Sequence, residues 1–539
     1  MIYIYRFDEV LVESDSSQWE NDNYKIYWEG FVFINGVLSG EDSIRVFSKE
    51  IEDKGIKKAS GLLRGGFACV VFDKKTKNYY SFVDNSRQYC LFYTDRAIST
   101  SFLELVHRQE IKSEALDPEC AVEFILTGLV FSEKIFFEGV NVIEADKVLS
   151  LSDSKLIIQK KDTKDPFSLS LPPTTSAHFL KAFEDIVPSL KNKNISIDLT
   201  GGTDSRTIAV ILNHFGMEFE TAVCGENGHS DLNISKKIAW ILGFDHHITY
   251  HLVKNDNIAK DLNNTFRAYD GLSDILTNNR LYQLQKQRKK RNIDLVIGGS
   301  GGELYKDGGY WRGALGTKNK EATINKLVSS GLAGWGLGTS SPHYLYSNPC
   351  KSISLQYRTQ LAARLMAKFN DPGNYNKYKV ADRIFYEYSV RAPRLGGNRI
   401  VDSYLPLLDD NFVALGINIP WEKRLFHNFY REILTSINRE VAKYPTNRGG
   451  TSISAEHRYF LKDLAKFLIY PVKNKIVKAE IKNKQELYSI VKSMKETETD
   501  FNLLKNHGIL HHNLVLNEIP DRYLGRILTL GKLISYIEK

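Results

Sequence analysis

Ile195-Ser-Ile-Asp-Leu-Thr-Gly-Gly-Thr-Asp-Ser205 decides the reading of this chain. The run from Ile195 to Thr200 predicts a strand, Gly201 and Gly202 predict a tight turn, and Ile208, Ile211, Leu212 and Phe215 then recur at helical spacing. Two adjacent glycines let backbone N–H groups approach a phosphate with no Cβ in the way, and the following helix points its positive end at the same spot. Ser205 can donate its hydroxyl to a phosphate oxygen, and Asp204 can hold the Mg²⁺ that neutralises a polyphosphate. Thr200, Gly201, Gly202, Thr203, Asp204 and Ser205 therefore read as a pyrophosphate loop. A turn with a favoured helix cap is the alternative for the same six residues, since Asp and Ser both suit that position. The chain has no GxxxxGKS, so the loop is not the usual P-loop.

Outward from this stretch the text alternates strand and helix. A second strand near Phe219 to Cys224 precedes a helix carrying Ile234, Ile238, Ile241 and Leu242, which Gly243 closes. HHITYHL (246–252) starts a third strand, and Asp294 to Gly298 forms a fourth after a helical stretch ending in KQRKKR (286–291). That rhythm predicts a doubly wound parallel α/β sheet, in which ligands bind at the carboxyl ends of strands. Gly298-Gly-Ser-Gly-Gly-Glu303 again follows a strand. Gly299, Ser300, Gly301 and Gly302 would admit a close ligand, and Glu303 would offer a second oxygen to the metal held by Asp204. Glycine-rich turns are common, so this loop gains its meaning from the first. Neighbouring strands would bring Asp204 and Glu303 to one sheet edge.

Residues 1–165 read differently, as short strands such as KIYWEGFVFINGVLSG (25–40), GGFACVVFD (65–73) and KNYYSFVDN (77–85), bounded by turns. This is a β-rich first domain. Residues 166–180 hold three of the chain's 14 prolines and read as a connector; residues 181–539 form the second domain, mostly helical beyond about residue 315. The Lys-rich stretch YPVKNKIVKAEIKNK (470–484) reads as a solvated helix face. A chain of 539 residues with 72 Lys+Arg against 64 Asp+Glu has a net charge of +8, a mild bias without the concentrated stripe that nucleic acid binding needs. Five scattered cysteines without a CxxC pair fit a reducing cytoplasm. The sequence shows no basic-then-apolar leader and no apolar run near the roughly 18–20 residues of a membrane span.

These residues resemble the asparagine synthetase family, whose synthetase domain carries an SGGxDS pyrophosphate loop; Thr200 replaces the first Ser and keeps the hydroxyl. Asp231 to Gly243 followed by His246-His247 looks like the family's helix and its LG…HH, Gly298 to Glu303 looks like its SGEGSD loop, and Arg399 to Asp409 is similar to the stretch ending in PFLD. Gly65 to Asp73, Asp84-Asn85 and Leu91-Phe-Tyr93 resemble the family's glutaminase domain. The resemblance implies an Ntn-hydrolase-like β-rich sandwich followed by an ATP-pyrophosphatase (adenine nucleotide α hydrolase-like) domain with a helical end. It implies ATP and Mg²⁺ as cofactors and adenylation of a carboxylate, followed by attack of an amine or ammonia.

The departures narrow that expectation. A working glutaminase of this family uses an N-terminal cysteine exposed once Met1 is removed; residue 2 here is Ile2, so no glutamine hydrolysis is expected, and the first domain is left as a structural element or a dock for a protein partner. Ser300 stands where asparagine synthetase has a glutamate that handles ammonia, and Gly301-Gly302 looks like the lasso-peptide cyclases, which with the β-lactam synthetases also lack the N-terminal cysteine. Glu303 replaces the family's aspartate, at the cost of altered geometry. The family's lysine falls near His427, before Arg431; Lys423, Lys443 and Arg448 are the nearby cations, and Lys443 and Arg431 join Asp204 and Glu303 as catalytic candidates. The readings left open are amidation of a sugar acid or other metabolite, a lasso-peptide-type cyclase, asparagine synthetase proper using ammonia, a degenerate nucleotide-binding relative, and an RNA-modifying enzyme. The substrate is a small-molecule or peptide carboxylate in the first three.

Overall fold

The computed structural model describes residues 1–5, 9–12, 16–152, 155–169, 171–250, 257–307, 314–329, 342–368, 376–387, 398–446, 452–455 and 478–539. Arg448, His251, Leu252 and residues 470–477 lie outside them.

The first part of the chain folds as two antiparallel sheets. In spatial order the larger is Lys155–Lys160, Lys147–Ser152, Tyr79–Val83, Arg64–Asp73, Tyr24–Phe33 and Ser17–Glu20. The smaller is Glu9–Val12, Ile2–Tyr5, Ala97–Ser99, Phe92–Tyr93 and Asn141–Val142. Successive side chains of a strand face opposite ways, and Arg64–Asp73 uses both faces. Ala68 and Val70 join Ile2, Ile4, Leu91 and Ile98 between the sheets, whereas Phe67, Cys69 and Val71 pack outward under the helix Glu41–Lys54 through Ile44, Phe47 and Ile51. The smaller sheet is backed by Phe102–Arg108 and Pro118–Thr127, so the layers run helix, sheet, sheet, helix.

The second part is built on a five-stranded parallel sheet in the order His246–Tyr250, Glu220–Gly225, Ile195–Asp198, Leu295–Ile297, Asp402–Tyr404. Read in chain order this is 3-2-1-4-5, the doubly wound arrangement expected from the strand–helix rhythm. Its fifth strand comes from the segment that the sequence matched only by resemblance. The order reverses between Ile195–Asp198 and Leu295–Ile297, and this switch point is where such sheets leave a crevice. Phe179, Phe183, Ile197, Ile211, Leu295 and Phe412 share one apolar cluster there with helices from both sides.

The largest apolar cluster crosses the boundary that composition drew near residue 165. Leu524, Ile527 and Leu528 of the closing helix Asp521–Ile537 pack with Phe102, Phe124 and Phe137 of the first part and Ile275 of the second. Arg64 also forks onto Asp409, at 2.8 Å through Nε and 2.7 Å through Nη2. Among the described residues no helix is long and apolar enough to cross a membrane.

The adjacent histidines of the sheet's third strand point to different partners, as side chains one residue apart must. His246 lies between Thr221 Oγ1 (2.9 Å from Nδ1) and Ser235 Oγ (3.0 Å from Nε2), while His247 Nε2 is 3.2 Å from Glu220. Burial, with the His247 and Lys236 charges, pushes His246 down to about 4 from its ordinary 6.5. Between those values the unfolded chain binds more protons, so the stability His246 contributes is fully present above pH 6.5 and is lost as the pH falls toward 4. Chemical denaturation from pH 7.5 to 4.5 should cost the wild type about 1–2 kcal/mol more than His246→Gln, once partial exposure is allowed for.

Candidate functional site

The glycine turn follows the first parallel strand and opens into the helix Asp204–His214. Its own hydroxyls hold its shape. The Thr200 N–H donates to Ser205 Oγ at 3.1 Å and the Gly202 N–H to Thr200 Oγ1 at 3.2 Å, while the Gly201 N–H donates to Asp231 Oδ1 at 3.0 Å. Arg206, fully buried, braces the turn from behind by donating to the carbonyls of Gly201 (3.2 Å), Tyr444 (2.8 Å) and Pro445 (2.9 Å). Burial lowers its guanidinium to about 10, which leaves it charged at neutral pH. Sequence reading missed Arg206, because an arginine one residue past a phosphate loop reads as a surface helix residue.

The second loop follows Leu295–Ile297 across the switch point and locks into the first. A Cβ on Gly299 would lie 2.7 Å from the Ser205 nitrogen and 3.1 Å from its Cα, and one on Gly302 would overlap the Asp204 carboxyl. Gly301 sits at φ +92° against Leu407 and Leu408. Gly299 and Gly302, expected to admit a ligand, thus admit the first loop. Ser300 instead lines the neighbouring cavity.

This interlock packs Gly302, the residue before Glu303, against the Asp204 carboxyl. Tyr430, buried on the following helix Asn428–Ile437, donates to Gly302 O at 3.5 Å. Burial first, then the charges of Asp204, Tyr305 and Glu303, push the Tyr430 hydroxyl well above its ordinary value. The described residues contain no group of three or more His, Cys, Asp or Glu able to hold a metal ion alone. Mg²⁺ usually takes one or two carboxylates and completes its shell with phosphate oxygens and water, so an all-oxygen pair beside a phosphate loop fits it. Lys306 also reaches this point, its ammonium paired with Asp204 Oδ2. A lysine three residues past Glu303 was legible in GGELYK but carried no recognised pattern.

The catalytic cations expected from sequence are placed differently. His427 Nδ1 lies 3.2 Å from Thr203 Oγ1, and its Nε2 lies 3.7 Å from Asp307. It is delivered by a strained turn in which Phe426 (φ 52°) and His427 (φ 61°) are both left-handed, a conformation that non-glycine residues adopt at a cost. Arg431 holds that turn: it donates to Phe426 O at 2.7 Å and to the carbonyls of Ser452 and Ser454 at 2.9 Å each. Its buried guanidinium is thus engaged by three backbone carbonyls. Lys443 is exposed at the end of Arg439–Lys443, and the contact with the loop comes from Tyr444 and Pro445 after it. Lys423 is paired with Glu432 on the surface.

A cavity of about 480 Å³ adjoins the loops. Asp198, Ser300 and Leu405 line it from the strand ends, Arg288 from the helix Ile275–Lys290, and Gln88 and Leu129 from the first part of the chain. Fully buried Arg288 donates to Asp198 Oδ1 at 2.7 Å and Ser196 Oγ at 2.9 Å, which makes Asp198 a paired polar residue. Gln88 closes the far side, its Oε1 accepting from Leu405 N at 3.0 Å. Tyr269 is buried, and Asp270 caps Phe102–Arg108 through Leu103 N at 3.1 Å and Ser101 Oγ at 2.9 Å, away from the loops.

The asparagine synthase profile matches residues 189–443, a span that contains both loops, the cavity's strand ends and the strained turn. Among solved structures, an NMN synthetase from Francisella tularensis is similar over 40% of this chain and 91% of its own, with 15% identity and a TM-score of 0.19. No curated protein matches the chain in sequence.

Proposed function

We propose that this asparagine synthase domain adenylates a substrate carboxylate and passes the acyl group to an amine. A carboxylate anion is a poor electrophile, so an amide cannot form from it directly at neutral pH. In the reaction proposed, a carboxylate oxygen attacks the α-phosphorus of ATP, the bond to the bridging oxygen breaks, and pyrophosphate leaves. The amine then attacks the acyl-adenylate carbonyl, loses a proton, and AMP departs with the electron pair of the C–O bond. The observation that carries this reading is the interlock, which packs Gly302, the residue before Glu303, against the Asp204 carboxyl beside the glycine turn at the sheet's switch point.

Each residue then has a task of positioning or charge. The Gly201-Gly202 turn and the start of Asp204–His214 receive the pyrophosphate, with Thr200, Thr203 and Ser205 shaping the turn. Bound between Asp204 and Glu303, Mg²⁺ would supply charge neutralisation for the leaving group. The adjoining cavity takes the carboxylate substrate; its volume lies within the roughly 300–1,000 Å³ of small-molecule sites. The amine comes from outside the first domain. Of its cysteines, Cys69 and Cys120 are buried with their thiols pushed up, Cys120 to about 12, whereas a nucleophilic cysteine needs a lowered value.

The test is to supply Mg-ATP, a panel of amino acids, hydroxylated acids and peptides, and ammonium or a primary amine. The expected products are AMP, pyrophosphate and an amide in equal amounts with one carboxylate class. ADP and phosphate, or AMP formed irrespective of carboxylate, would contradict the reading.

A further inference from the structure

Lys306 is 9% exposed and pairs with the carboxylate of the first helical residue of the phosphate loop. The contacts around it close a circuit through three segments. Thr203 Oγ1 is 3.5 Å from Asp204 Oδ1 and 3.2 Å from His427 Nδ1, and His427 Nε2 is 3.7 Å from Asp307, the residue after Lys306. The Asp307 N–H donates to Arg424 O at 3.0 Å. Arg424 in turn forks onto buried Asp382 at 2.7 and 2.9 Å. Lys306-Asp307 is thereby fixed against the first turn of the helix that receives the phosphate.

A buried lysine–carboxylate pair is a weak source of stability, because desolvation offsets much of the attraction. An ammonium buried between two ligand-binding loops therefore suggests use by a ligand, and lysine serves phosphate as a point charge. With Asp204 given to a divalent cation, the ammonium is left for the phosphate oxygens. We propose that Lys306, paired with Asp204, is a polyphosphate-binding residue that serves the pyrophosphate group of ATP when that group occupies the loop. This rests on the phosphate-loop reading and adds to it a cation from the second loop.

Calorimetric titration of the full chain with magnesium pyrophosphate, and separately with adenosine, tests it. Lys306→Met should bind pyrophosphate roughly tenfold to a hundredfold more weakly, Lys306→Arg should retain most of the affinity, and adenosine should bind all three alike. Unchanged pyrophosphate affinity in Lys306→Met would overturn the proposal. So would an equal loss for adenosine, or an Arg variant as weak as Met, since both mean that the lysine only ties the loops together. A wild type that binds adenosine but no pyrophosphate would remove the phosphate-loop reading itself, and the proposal with it.

Discussion

Asp204→Asn should slow carboxylate-dependent AMP formation by roughly two to three orders of magnitude, measured as kcat/KM. The substitution keeps the shape of the side chain and removes its charge. In the wild type that charge lies against Gly302 of the second loop and takes the Lys306 ammonium. The variant loses the anionic oxygen that suits a hard cation and leaves Lys306 without its counter-charge. The second loss should appear in equilibrium unfolding as about 1–3 kcal/mol, the cost of leaving a buried charge without its partner. A near-wild-type rate with intact stability would mean that the two loops do not form the reaction site.

Gly299→Ala is expected to have the next largest effect. The added Cβ would stand 2.7 Å from the Ser205 nitrogen, and the obstacle is backbone, which cannot swing aside as a long side chain can. Either loop must move by several tenths of an ångström, opening the interlock that packs the second loop against Asp204 and Ser205. Nucleotide affinity should fall at least roughly tenfold, and overpacking should destabilise the fold by about 1–3 kcal/mol. Gly36→Ala gives a useful contrast, because a Cβ there meets nothing within 4 Å; its φ of +77° costs backbone strain, and nucleotide binding should not change.

Much of this arrangement was legible in the sequence because it depends on local signals. A short run bounded by turns placed a strand at Gly65–Asp73, and helical spacing after a glycine turn placed the loop at Thr200–Ser205. The parallel, doubly wound sheet followed from strands alternating with helices, whereas its 3-2-1-4-5 order, and the three-residue strand Asp402–Tyr404, too short to show a period, depend on contacts between distant segments. What could not be read came from contacts between distant segments. Gly299 and Gly302 looked like openings for a ligand because nothing in their own sequence says that Ser205 and Asp204 lie against them. Arg431 looked catalytic because its charge was visible and the three carbonyls that hold it were not. The closing helix Asp521–Ile537 looked like part of the second domain, yet its apolar face completes a cluster shared with the first.

Adenylation is the central claim, and exchange of labelled pyrophosphate into ATP measures it most directly, since it reports reversal of the first step without any amine. The account predicts exchange that requires Mg²⁺ and a carboxylate, proceeds without an amine donor, and disappears in Asp204→Asn. Amide formation accompanied by ADP, with no pyrophosphate exchange under any carboxylate, would contradict it.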